Sequence, residues 1–132
     1  WADSSFASGI GSQAFAVGAT AVGVNAFAYS ESSLALGSNA AADGKGSVAI
    51  GQAVYTSSAG AIAVGTNNQN TKKDGVSMPS PEEASPDDPI FEIGAGDLDL
   101  GIRHNAFTVF RDGTVRLTKA AGGISMGSFG GP

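Results

Sequence analysis

Gly9, Gly23, Gly37, Gly51 and Gly65 stand 14 residues apart, with no slippage across four steps. Two positions before each is an alanine: Ala7, Ala21, Ala35, Ala49 and Ala63. Large or branched residues flank most of these alanines, as in Leu34-Ala35-Leu36 and Val48-Ala49-Ile50. Four residues before each glycine is Ser or Ala. The unit reads small, large, Ala, large, Gly: the period-two alternation of a strand, closed by a residue with free choice of backbone angle. So short a period rules out helical repeats, which need about 33 residues or more. It leaves room for two strands of about five residues and two tight turns, forming one thin coil stacked on the next at about 4.8 Å.

The other half of the period is looser. Ala26-Phe27-Ala28-Tyr29-Ser30 and Ala40-Ala41-Ala42-Asp43-Gly44 align, Ala14-Phe15-Ala16-Val17-Gly18 reads as displaced by two, and Val54-Tyr55-Thr56-Ser57-Ser58 lacks the alanines. A second, more tolerant strand is expected there. The strict alanine marks a place where another backbone passes close by. The Val/Ile/Leu positions on the opposite side need an apolar partner that so thin a coil does not contain. Copies of the chain packed around a common axis supply it, and three is the natural number for a fibre. The expected fold is all-β: a parallel β-roll over residues 1–65 in a homotrimeric fibre, then a Pro-rich and acidic linker (66–89), a small β-hairpin module (90–121) and a Gly-rich tail (122–132).

Composition supports an elongated form. Charged residues make up 14% and aromatics 8%, against roughly 25% charged in an ordinary globule. Collagen is excluded because the glycines do not recur every third residue. A net charge of −5 argues against a nucleic-acid partner, since that affinity rests on Lys and Arg neutralising phosphates. With no cysteine there is neither a disulfide framework nor a thiolate metal site. No apolar run reaches the roughly 18 residues of a membrane span. Opening on Trp1 without Met, the chain reads as a fragment or processed piece.

Ser33-Leu34-Ala35-Leu36-Gly37, Ser47-Val48-Ala49-Ile50-Gly51 and Ala61-Ile62-Ala63-Val64-Gly65 resemble the SVAIG-type repeats of YadA-like head domains. The likeness covers residues 5–65. It implies a left-handed parallel β-roll and a trimeric head, as in bacterial trimeric autotransporter adhesins. The neck motif and coiled-coil stalk that usually follow such heads do not appear.

Pro79, Pro81, Pro86 and Pro89, set among Glu82, Glu83, Asp87 and Asp88, prevent strand pairing and helix growth and predict a long surface connection. After it, Ile90–Gly94 reads as a strand, and 105–110 and 114–118 form a hairpin across Arg111-Asp112-Gly113. Phe91-Glu92-Ile93-Gly94-x-Gly96, Arg103-x-Asn105-Ala106-Phe107-Thr108-Val109 and Asp112-Gly113-Thr114-Val115 resemble a segment of phage and prophage tail fibres. That likeness, over residues 90–117, implies a virion tail fibre or tip that binds a bacterial surface receptor, a glycan above all. The alternative is an adhesin head at the bacterial outer surface, binding host surface or matrix.

No catalytic residues, metal ligands or cofactor are assigned, and the chain does not read as an enzyme. Gly9-x-Gly11-x-x-Ala14 fits a loose dinucleotide fingerprint but lacks the helix the motif must open. His104, the one histidine, has no nucleophile and acid pattern beside it. Asp97, Asp99 and Asp112 lack calcium-loop spacing. Arg103, Arg111 and Arg116 either meet an acidic glycan or, the favoured reading, balance those three aspartates across the hairpin. The candidate receptor-binding residues are Phe15, Phe27, Tyr29 and Tyr55. They fall in the tolerant half-coil, where exposed aromatics stack well on sugars. An ice-binding ladder is excluded, since Thr20 and Thr56 do not align.

Overall fold

In a computed structural model, residues 3–118 are described; the Gly-rich tail expected at 122–132 lies outside them. All regular elements among these residues are strands: β1 (Phe6–Ser8), β2 (Gln13–Ala14), β3 (Thr20–Val22), β4 (Phe27–Ala28), β5 (Leu34–Leu36), β6 (Ala41–Ala42), β7 (Val48–Gln52), β8 (Tyr55–Thr56), β9 (Ile62–Thr66), β10 (Pro89–Ala95), β11 (Asn105–Phe110) and β12 (Val115–Leu117). The odd strands β1 to β9 pair in parallel at the 14-residue offset and form one wall of a β-solenoid. The even strands β2 to β8 pair the same way in a second, 4-stranded wall. The parallel coil read from the repeat is the fold.

Alanine fills the space between the walls. Ala21, Ala35, Ala49 and Ala63 from one sheet and Ala28 and Ala42 from the other are fully buried, together with the turn alanines Ala19, Ala26 and Ala40. A coil this narrow has no room for larger core residues on both walls, and this accounts for the strict alanine.

The glycines at the corner are held by a second constraint besides backbone angle. Gly9, Gly23, Gly37, Gly51 and Gly65 have φ between 109° and 138°. A Cβ on any of them would lie 1.9 to 2.3 Å from the carbonyl oxygen of the next rung. Gly94 is the sixth rung, paired with Gly65. Two further columns turn left-handed: one is mostly non-glycine, with Asn25, Asn39, Ala53 and Asn67 below Gly11, and the other sets Ser4 and Ser32 among Gly18, Gly46 and Gly60. Asparagine tolerates this region because its short polar side chain bonds locally.

The second strand runs in unbroken register. Gln13 pairs with Phe27 and Ala14 with Ala28, so the two-residue displacement expected at 14–18 does not exist. A slide by two leaves the same side chains facing inward, so alternation alone could not detect the error.

The fifth coil opens with β9 but forms no second strand. In its place the side chain of Asn68 pairs with the edge of β8: its Oδ1 accepts from the Tyr55 amide and its Nδ2 donates to the Tyr55 carbonyl, both at 2.8 Å. The chain then makes its Pro-rich excursion and returns as β10, which pairs in parallel with β9. The antiparallel strands β11 and β12 complete an 8-stranded sheet. The 90–118 segment is thus continuous in hydrogen bonding with the solenoid wall. Though polar, the excursion has buried ends, with Asn68, Asn70, Asp88 and Pro89 all shielded.

Candidate functional site

Because alanine occupies the inside, the larger residues of both walls face outward. On the large sheet, strand register assembles them into two columns. One runs Phe6, Thr20, Leu34, Val48, Ile62, Phe91, Val109 and Val115; the other runs Ser8, Val22, Leu36, Ile50, Val64, Ile93, Phe107 and Leu117. Only Thr20 and Ser8 interrupt them with a hydroxyl. Across eight strands the stripe is about 34 Å long. Phe6 is 56% exposed, Ile50 39%, Ile62 41% and Val115 55%. Contiguous apolar surface of this extent marks an interaction face, because water solvates it poorly.

The small sheet presents a different outer surface, and all four candidate aromatics stand on it. Phe27 and Tyr55 belong to the column Gln13, Phe27, Ala41, Tyr55, while Phe15 and Tyr29 extend the neighbouring column one residue past β2 and β4. Phe15 and Tyr29 stack at 5.2 Å with planes 2° apart, and Phe27 lies 5.8 Å from Tyr29. Tyr55 stands apart from this trio, beyond Ala41, and its hydroxyl donates to Asp43 Oδ2 at 3.2 Å. Burial, then the charge of Asp43, pushes the Tyr55 phenol up to about 12. The phenol therefore remains a neutral donor at physiological pH.

Beside Tyr55 is an open recess of about 290 Å³ lined by Tyr55, Gln69, Asn70, Thr71, Met78 and Arg103. Arg103 donates to the Asn68 carbonyl at 3.2 Å. The expected balance between arginines and hairpin aspartates is not what forms. Among the described residues the ion pairs are Lys45–Glu31, Lys72–Asp88, Lys73–Asp87 and Lys73–Asp112, none of which uses an arginine. Arg111 and Arg116 donate instead to the backbone carbonyls of Ala59 and Lys73. Guanidinium is well suited to this, because its planar fork reaches several acceptors and it is less strongly hydrated than ammonium. Asp112 is held by Lys73, which keeps its carboxyl down at about 2.

The three candidate calcium ligands are not gathered. Asp97 Oδ1 accepts from the Leu100 amide within its own turn, and Asp112 is occupied by Lys73. His104 acts through its backbone, which bridges Asn67 and Ala95. Gly9 and Gly11 lie in the turn from β1 to β2, with no helix for a phosphate to meet.

A polar knot closes the alanine core where β10 begins. Glu92 falls in the alanine column, opposite Ala63, and is fully shielded from solvent. Its carboxyl oxygens accept from Asn105 Nδ2 at 2.7 Å and from Asn68 Nδ2 at 3.2 Å. Burial pushes its carboxyl up to about 8, outweighing the two amide donors that act in the opposite direction. Asn105 also clamps the Gln69 backbone through both its amide and its carbonyl. Sequence reading missed this knot, since its partners lie 13 to 36 residues apart and no local pattern connects them. Only the recurrence of asparagine at Asn25, Asn39 and Asn67, one and then two coil periods apart, hinted that it has a fixed place in the coil.

Residues 2–26 and 28–53 match the family model for the YadA head domain repeat, in two copies. No curated protein and no solved structure matches the chain. The matched repeat is a structural, adhesin-type unit of extracellular surface proteins, and it lies within the solenoid built of stacked parallel coils.

Proposed function

We propose that this chain is a segment of a homotrimeric attachment fibre, the head of an adhesin similar to the bacterial trimeric autotransporters, displayed at the bacterial outer surface. The observation that carries the proposal is the pair of apolar columns on the large sheet. Three copies packed face to face around an axis cover the columns, while the aromatic wall of each remains outside. A rigid rod presenting three equal sites gains avidity from modest individual contacts, so no deep pocket is needed. The role is adhesive and structural, as the match to a head-domain repeat supports.

A phage tail fibre remains the second reading. The likeness of residues 90–117 to tail-fibre segments favours it, and the match to the head repeat favours the adhesin. Both assign the same trimer and the same outward wall, and they differ in the target. Beads coated with the chain, offered to animal cells with extracellular matrix and separately to bacteria, distinguish them. Retention on host cells or matrix supports the adhesin, retention on bacteria alone supports the fibre, and retention on neither overturns the attachment role.

A further inference from the structure

The recess beside Tyr55 has the chemistry of a small ligand site. At about 290 Å³ it lies at the lower edge of ligand clefts, which run from about 300 to 1,000 Å³, so it suits a single ring. Tyr55 supplies an aromatic surface, and its hydroxyl is already committed to Asp43. Arg103 supplies a cation with no carboxylate partner among the described residues. Gln69 and Thr71 add polar side chains, Gln69 being exposed. Asn70 is 4% exposed; its Nδ2 donates to Ser57 Oγ at 2.7 Å, while its Oδ1 has no donor. An aromatic plate, a guanidinium held by the Asn68 carbonyl but facing no carboxylate, and amide groups around a one-ring space match a sugar that carries a carboxylate. Arginine favours such a group because its fork meets both carboxylate oxygens.

We infer that the recess lined by Tyr55, Asn70 and Arg103 binds an acidic saccharide, with the carboxylate on Arg103 and the ring against Tyr55. This deepens the attachment reading and rests on it for biological meaning. Tyr55 is on the outer face of the small sheet, whereas the apolar columns are on the outer face of the large one, so a trimer closed through the columns leaves the recess open.

The test is an amide NMR titration of the intact chain with trigalacturonate and with 3′-sialyllactose, using maltotriose and lactose as neutral counterparts. Saturable shifts at Tyr55, Asn70 and Arg103 with at least one acidic sugar, in the millimolar range and absent with the neutral ones, are expected. Arg103→Gln should weaken that binding by about ten-fold or more, whereas Ile10→Ala, 80% exposed in the turn from β1 to β2 and outside the recess, should leave it unchanged. The same spectra report whether each variant is folded. Silence with both acidic sugars, an equal response to neutral ones, or indifference to Arg103→Gln in a folded protein overturns the assignment. Coated beads that still adhere while the recess is silent sink the sugar site alone. Binding in the titration with no adhesion anywhere sinks the attachment role and leaves the site.

Discussion

Gly37 illustrates how one residue serves two constraints at once. Its φ of 126° disfavours any side chain, and a Cβ there would lie 2.0 Å from the Gly51 carbonyl oxygen, a backbone atom that cannot move without shifting a coil. Gly37→Ala should therefore cost about 4 kcal/mol or more, read as a lost or greatly lowered unfolding transition by circular dichroism. Ala53 is the opposite case. It sits at φ 54° in a column otherwise held by glycine and asparagine, and an L-residue with a plain methyl is strained there. Ala53→Gly should raise stability by about 0.5 to 1 kcal/mol in a thermal melt, since relief of that strain exceeds the added chain entropy. Glu92 makes stability depend on pH. Folded, its carboxyl holds a proton up to about pH 8; unfolded, it releases it near 4.5. Its contribution is thus fully present below 4.5, declines as pH rises, and is gone above 8, a change on the order of 5 kcal/mol. Asp74 and Asp112, both lowered to about 2, act in the opposite sense and only below their ordinary value of 3.8, so the two windows do not overlap. Melting temperatures should fall between pH 5 and 8.5, and Glu92→Gln, which has no proton to lose there, should flatten that slope.

At the level of elements, the large-sheet strands were legible because every coil repeats both demands, a buried alanine and a crowded glycine. The small-sheet strands were legible as strands but not in register, because a slide of two preserves which side chains point inward. Nor could the sequence show that β10 joins the same sheet. The polar, Pro-rich stretch between β9 and β10 looks like a break, yet Gly94 takes the next rung after Gly65 and Phe91 the next place in the apolar column. The four aromatics assigned to the outer side do share one face, but the recess beside one of them needed Met78 and Arg103 from distant segments to be seen. Asn68 stands in for a missing strand by pairing with the free edge of β8. Asn68→Ala leaves the Tyr55 backbone and Glu92 each short of a partner, and should cost about 1 to 3 kcal/mol by denaturant titration.

The whole molecule is a thin ribbon whose interior is mostly alanine and whose larger apolar residues face out. Alanine burial alone is a weak source of stability, because the gain scales with apolar area removed from water. The stripe from Phe6 to Val115 is where most of the missing area can be recovered, and only a partner surface can recover it. Charge placed in that stripe should act on assembly before it acts on the alanine core: Ile50→Glu, 39% exposed and centred in a column, should dissociate the oligomer at low micromolar concentration. The central claim is that three chains share this burial. Sedimentation equilibrium of the unmodified chain tests it most directly. A mass of three times 13.0 kDa is the predicted result, and a stable, folded monomer of 13.0 kDa would contradict it.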